Sequence, residues 1–149
     1  MLRKATEKDI PRLVAIEQLT QMAPWSADIF ERSFELRYDC WVIEVDQQVV
    51  AFLMMSSAMT GESHILNLCV DPACQRQGHG QQLLDYAISH ARQHGFNMMY
   101  LEVRRSNHKA IRLYDKSGFV EIGTRKDYYP AKHGREDALI FAMDVSKSN

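Results

Sequence analysis

Asn67-Leu68-Cys69-Val70-Asp71-Pro72-Ala73-Cys74-Gln75-Arg76-Gln77-Gly78-His79-Gly80-Gln81-Gln82-Leu83-Leu84 passes from an apolar run, through a polar turn with two close glycines, into a segment of helical periodicity. The run His64–Val70 reads as a buried strand, and Asp71-Pro72 ends it because proline brings no N–H to a ladder. From Gly80 to His94 the apolar Leu83, Leu84, Ala87, Ile88 and Ala91 share one helical side, with Gly95 as the stop. A helix beginning near Gly80 leaves its first N–H groups without helical partners. They face the turn, and the helix dipole favours an anion there. Gly78 and Gly80 permit close backbone approach and positive φ, and Arg76 adds a cation. The segment suits a pyrophosphate.

The flanking sequence predicts alternating strands and helices. Upstream, Leu2–Thr6 reads as a short strand, and Thr6-Glu7-Lys8-Asp9 as a capping box with Asp in place of Glu or Gln. A helix follows through Ile10, Leu13, Ile16, Glu17 and Leu19, with Pro11 in its first turn. Ser26 of Pro24-Trp25-Ser26 caps a second helix through Ile29, Phe30 and Phe34. Trp41–Val45 and Val49–Met55 are β-rich runs joined by a turn at Asp46-Gln47-Gln48. Downstream, Met98–Arg104 is a strand, Asn107 opens a helix with Ala110, Ile111, Leu113 and Tyr114 inward, and Gly118 ends it. Phe119–Ile122 and Ala138–Val145 supply the last strands, with a polar, aromatic loop around Arg125–Pro130 between them. The order βααβββαβαββ predicts one α/β domain over residues 1–149, a mixed twisted sheet flanked by helices.

Composition narrows the function classes. With 46% hydrophobic and 25% charged residues the chain reads as an ordinary globular protein. The formal net charge of −1 argues against nucleic-acid binding through an overall positive field. The charged N-terminal segment has no apolar core of the signal-peptide kind, and no apolar run reaches a membrane span, so a cytoplasmic location without membrane partners is expected. Cys40, Cys69 and Cys74 are odd in number and lack CxxC spacing, which suggests packed thiols rather than disulfides or a metal site. His90 and His94 share a helix face with no HExxH pattern, and a solvated face is expected there.

Two phosphate-binding patterns fail. No GxxxxGK[ST] string is present, and Gly78-His79-Gly80-Gln81-Gln82-Leu83 lacks the third glycine of GxGxxG. Gln75-Arg76-Gln77-Gly78-His79-Gly80 instead resembles the Q/R-x-x-G-x-G/A turn of the GNAT acetyltransferases. The second strand and the Asn-led helix ending Leu113-Tyr114-Asp115-Lys116-Ser117-Gly118-Phe119 follow in that family's order. Pro24-Trp25-Ser26, Asn67, Leu101-Glu102-Val103-Arg104, Asp127-Tyr128-Tyr129-Pro130 and Gly134–Ala138 resemble the bacterial RimI type, which acetylates the N-terminal alanine of a small-subunit ribosomal protein. The sequence departs from that type at Cys69, where alanine is expected, and at His108 and Lys109, where small residues are expected.

The resemblance implies acetyl-CoA as acetyl donor, no metal, and a protein N-terminus as acceptor. It implies that main-chain groups of Leu68, Cys69 and Val70 pair with the pantetheine arm. Arg76, Gln77, Gly78, His79, Gly80 and Gln81 would hold the pyrophosphate, and Asn107 would bind further along the coenzyme. An N-terminal amine is largely protonated near neutral pH, and the cation cannot attack a thioester, so a base is required. Glu102 sits on the side of its strand that carries Tyr100 and Arg104, and burial would tune it for that role. The competing reading is a structural ion pair with Arg104 or Arg105. Tyr114 is the candidate acid for the leaving thiolate, with core packing as its alternative. A backbone N–H near Val70 would stabilise the oxyanion. Trp25, Tyr128, Tyr129, Glu136 and Asp137 are candidates for an acceptor groove, the two acids facing a basic peptide. An acetyltransferase for another amine, and a non-catalytic acetyl-CoA sensor, remain open from the residues alone.

Overall fold

The computed structural model describes residues 1–146. Among them the strands are β1 (Leu2–Lys4), β2 (Asp39–Val45), β3 (Gln48–Ser57), β4 (Glu62–Val70), β5 (Met98–Arg104), β6 (Val120–Pro130) and β7 (Arg135–Asp144). The helices are α1 (Ile10–Thr20), α2 (Ala27–Glu35), α3 (His79–Gln93) and α4 (His108–Ser117). This is the order expected from the sequence. The strands form a mixed sheet in the order β1-β2-β3-β4-β5-β7-β6. The chain forms two compact units, Met1–Ser56 with Leu66–Tyr86, and Ser57–Ile65 with the chain from Ala87 onward.

In the first unit, β1, β2 and β3 pair antiparallel. The β2–β3 turn is two residues, Asp46-Gln47, both left-handed at φ 51° and 67°; Gln48 already belongs to β3. Paired left-handed residues match the twist of the flanking strands, which is why so short a turn closes the hairpin. The capping box forms between Thr6 and Asp9: the Thr6 N–H donates to the Asp9 carboxylate at 2.8 Å, and the Asp9 N–H to the Thr6 carbonyl at 2.9 Å. Asp9 also receives both terminal nitrogens of Arg3 at 2.9 Å, which ties β1 to the start of α1. Helix α1 buries Ile10, Leu13, Ile16 and Glu17, whereas Leu19 lies on its solvent side. Ser26 caps α2 by accepting the Ile29 N–H at 3.4 Å. Phe30 of α2 meets Phe52 of β3 edge-on at 5.6 Å and Trp25 at 5.3 Å. These rings, with Leu13, Ile16, Val42, Met54 and Cys69, make the core beneath α1 and α2.

In the second unit, β4 pairs parallel with β5 over Glu62–Ile65 against Met98–Leu101, and β7 pairs antiparallel with both β5 and β6. Alternation along β5 is strict. Met99, Leu101 and Val103 are buried beside Met143, Phe141 and Leu139 of β7, while Tyr100, Glu102 and Arg104 take the other face. Gly118, at φ 103°, closes α4 in the left-handed conformation that glycine adopts most readily. The expected loop Arg125–Pro130 is instead the second half of β6. Its register against β7 shifts between Arg125 and Tyr129, where Asp127 turns left-handed at φ 53°, and pairing resumes at Tyr129↔Glu136. A bulge lets a polar stretch stay in the ladder while re-aiming its side chains.

Candidate active site

The turn after β4 is held by hydrogen bonds of its own. Asp71 caps the short 3-10 turn Pro72–Cys74 by accepting the Ala73 N–H at 2.9 Å, and it pairs with Arg12. The Ala73 N–H and the Arg12 guanidinium hold its carboxyl below the ordinary carboxylate value, against a smaller opposing effect of burial. Gln75 Nε2 donates back to the Val70 carbonyl at 3.3 Å. Arg76 stands left-handed at φ 65°, unusual for a side chain with a Cβ, and Gly78 is left-handed at φ 82°. Alternating backbone handedness of this kind gathers successive N–H groups into an anion-binding concavity. Nothing lies within 4 Å of where a Gly78 Cβ would stand, so the space above the turn is open. The helix starts one residue before Gly80, close to where the pattern puts it, and of the two glycines only Gly78 has a positive φ. Arg76, Gln77 and Gly78 are exposed, and His79, Gly80 and Gln81 half-buried. The helix then starts with the Gln82 N–H on the Gly78 carbonyl at 3.0 Å. A turn of this geometry fits a diphosphate-bearing coenzyme.

Leu68 and Val70 are half-buried on β4, and Cys69 is buried. The Asp71 N–H donates to the Val50 carbonyl at 2.8 Å. Cys69 belongs to a polar cluster that sequence reasoning did not anticipate. At its centre is Glu17, fully buried. Glu17 accepts the Trp25 N–H at 2.7 Å, Asn67 Nδ2 at 2.6 Å and Cys69 Sγ at 3.2 Å. Gln21 Nε2 reaches Cys69 Sγ at 3.1 Å. Burial, with the Glu17 charge beside it, pushes the Cys69 thiol up to about 12. At neutral pH it is a thiol, not a nucleophilic thiolate. The cluster ties the Trp25 main chain, α1 and the end of β4 together.

In the second unit Glu102 is about a quarter exposed and Arg125 Nε lies 2.8 Å from its Oε2. The Arg125 N–H is not aimed at that oxygen: Oε2 is sealed from solvent and accepts no hydrogen bond. The neighbours proposed from sequence are engaged elsewhere. Arg104 pairs with Glu136 at 2.9 Å and lies over the Tyr129 ring at 4.5 Å, and Arg105 pairs with Asp137 at 3.3 Å. Burial would raise the Glu136 carboxyl, but Arg104 and Ser106 outweigh it and hold it low. The Asp127 N–H and Arg105 hold Asp137 low as well. Both acids are therefore occupied internally, which weakens their expected part in receiving a basic peptide. Burial and the Glu102 charge push the Tyr129 hydroxyl up to about 12.

Tyr114 is buried, edge-on to Phe119 at 5.8 Å and tilted against Phe141 at 6.3 Å. Phe141 belongs to the buried row that contains Leu101, so the Tyr114 ring packs on the side away from Glu102. Asn107 caps α4 through Oδ1, which accepts the Ala110 N–H at 3.2 Å. His108 and Lys109, the first residues of that helix, are exposed and leave the cap intact.

Residues 10–119 match the profile of the Acetyltransferase (GNAT) family. The ribosomal protein bS18-alanine N-acetyltransferase of Escherichia coli is 38% identical over 138 residues, covering 93% of each chain. Its counterpart in Haemophilus ducreyi is 36% identical over 144 residues, covering 96% of this chain and 99% of its own. The crystal structure of the ribosomal-protein-S18-alanine N-acetyltransferase from Escherichia coli superposes with a TM-score of 0.93 at 35% identity, over 100% of this chain and 96% of that one. The strand–turn–helix with its left-handed Arg76 and Gly78, the strand order and these likenesses agree: the chain belongs to the GNAT family of acetyltransferases.

Proposed function

We propose that residues 1–149 act as one catalytic domain that transfers acetyl from acetyl-CoA to the N-terminal α-amine of a protein, the N-terminal alanine of a small-subunit ribosomal protein. The near-full-length likeness to enzymes of that specificity carries the choice of acceptor. In this reading the main chain of Leu68, Cys69 and Val70 holds the pantetheine arm. The turn Arg76-Gln77-Gly78-His79-Gly80-Gln81 holds the diphosphate, and the Asn107 amide nitrogen contacts the coenzyme further along.

Glu102 takes the proton of the incoming ammonium, and the amine attacks the thioester carbonyl. A main-chain N–H at the Val70 end of β4 receives the oxyanion, and Tyr114 protonates the departing thiolate. Direct attack is favoured over an acetyl-cysteine intermediate because the Cys69 thiol is buried, hydrogen-bonded and held protonated.

The test is thiol release from acetyl-CoA with an alanine-led basic peptide, followed by mass spectrometry of the product. Glu102→Gln should lower turnover roughly 10²–10⁴-fold at neutral pH, the range of a general base. Activity within about twofold of wild type, against that same range, removes Glu102 from the role. Absence of measurable acetyl-CoA binding by calorimetry would remove the enzymatic reading altogether.

A further inference from the structure

We infer that Arg125 is a positioning residue for the reaction: it acts through Glu102 as the cation that fixes the orientation of this carboxylate. The inference rests on the reading of Glu102 as the base. It starts from an allocation of charges. The face of β5 that carries Glu102 also carries Arg104 and Tyr100; β7 contributes Glu136, and β6 contributes Arg125 and Tyr129. His64 of β4 stacks on Tyr100 at 5.3 Å. Arg104, two residues from Glu102 on the same face, is committed to Glu136 and to the Tyr129 ring. Arg105 is committed to Asp137. Arg125 reaches Glu102 from β6, across the intervening β7.

That reach has a structural basis. Arg125 pairs in register with Ala138, and Ala138 in turn with Arg104, whereas Glu102 pairs with Ile140, so Arg125 reaches Glu102 diagonally, from the row where β7 carries only a methyl group. The β6 bulge starts just after Arg125, and the Tyr128 ring lies 5.5 Å from its guanidinium carbon. The contact itself is electrostatic rather than directional. At 2.8 Å the positive charge is as close as an ion pair allows, yet Oε2 accepts no hydrogen bond. The Glu102 side chain is a quarter exposed with Oε2 buried, so Arg125 holds one oxygen and the proton-accepting role falls to the other, Oε1. The Arg125 side chain is 56% exposed, so solvent weakens the effect relative to a buried pair.

The experiment is kcat and KM for the peptide, with acetyl-CoA affinity by calorimetry, for wild type, Arg125→Met, Arg125→Lys, Glu102→Gln and Arg125→Met/Glu102→Gln, each first checked for folding by circular dichroism and thermal melting. Arg125→Met should lower kcat about tenfold, a fraction of the range of a general base because solvent reaches the arginine, while KM for the peptide and acetyl-CoA affinity stay within about twofold of wild type. Arg125→Lys should recover most of it, and in the Glu102→Gln background Arg125→Met should have no further effect on the rate. An unchanged kcat in Arg125→Met while Glu102→Gln is inactive overturns this inference and leaves Glu102 as base. A fully active Glu102→Gln overturns both. A loss in Arg125→Met that persists undiminished beside Glu102→Gln assigns Arg125 to a role independent of Glu102 and also overturns the inference.

Discussion

Replacing Glu17 with Gln isolates what the buried cluster does. The side chain keeps its size and can keep one oxygen in place. Glu17 Oε1 accepts two donors, Asn67 Nδ2 and Cys69 Sγ, whereas Oε2 accepts one, the Trp25 N–H. The amide will therefore settle with its oxygen toward Asn67 and Cys69 and its NH2 toward Trp25, where two donors then face each other. A hydrogen bond to a charged group contributes about 1.5–3 kcal/mol, and leaving a buried donor unmet costs about 1–3 kcal/mol. These are two descriptions of one lost contact and do not add. With some weakening of the Asn67 bond, a loss of roughly 2–4 kcal/mol follows. For a chain of this size each kcal/mol lowers Tm by about 2–4 °C, so thermal melting should show a drop of roughly 4–16 °C. The kinetic effect should be one-sided. The Trp25 segment loses its anchor while Asn67 and Cys69 keep theirs, so KM for the peptide should rise several-fold and acetyl-CoA affinity by calorimetry should hardly change. A Tm within about 1 °C of wild type, set against that expected drop, would show that the Trp25 bond contributes nothing. A large loss of coenzyme affinity with an unchanged peptide KM would refute the division of labour within the cluster.

Gly78→Ala should cost about 1–2 kcal/mol of stability from its left-handed backbone alone, since a Cβ there meets no atom. Its effect on acetyl-CoA should be larger, at least tenfold in Kd by calorimetry, because the methyl group enters the open space above the turn; unchanged affinity would remove the turn from the coenzyme site. Asp9→Asn tests the tie between β1 and α1. The Arg3 guanidinium holds the Asp9 carboxyl below its ordinary value of 3.8 against the opposing effect of burial. Its contribution is thus fully present above the unfolded value and is lost as pH falls through the folded one. The variant should melt lower at pH 7 by the equivalent of about 1–2 kcal/mol, and the gap should close below about pH 4; a gap independent of pH would contradict the ion-pair account.

Local rules were enough for the elements whose signals lie within a few residues of one another. The strand–turn–helix at 67–84, the caps at Ser26 and Asn107 and the glycine stop at Gly118 depend on nearest neighbours, and each stands where its pattern puts it. The stretch 125–130 does not follow such a rule. Its polarity suggests a loop, but Tyr128 and Tyr129 are strand formers and β7 offers a ladder on the far side of a bulge. Which of these wins depends on a partner strand that no local window contains.

The same distinction separates what could be read of the site from what could not. Glu102 is legible because strand alternation puts it, with Tyr100 and Arg104, on the face opposite Met99, Leu101 and Val103, and that signal is local. Its counter-ion is not. Arg104 and Arg105 are the sequence neighbours, but strand order decides the pairing: β7 lies between β5 and β6, so an arginine 23 positions away reaches Glu102 while the nearer two turn to Glu136 and Asp137. Glu17 carried a readable sign that polarity alone hides. It falls one turn after Leu13 and beside Ile16, on the stripe that α1 buries, where an acid is costly unless donors meet it. The donors come from residues 25, 67 and 69, two of them in a strand some 50 residues on, so the helix pattern can say that Glu17 needs partners but only the packed sheet can say which. An acid that faces the core of an amphipathic helix is thus a reason to look for a buried polar network, and here that network joins the Trp25 segment to the strand proposed to hold the coenzyme.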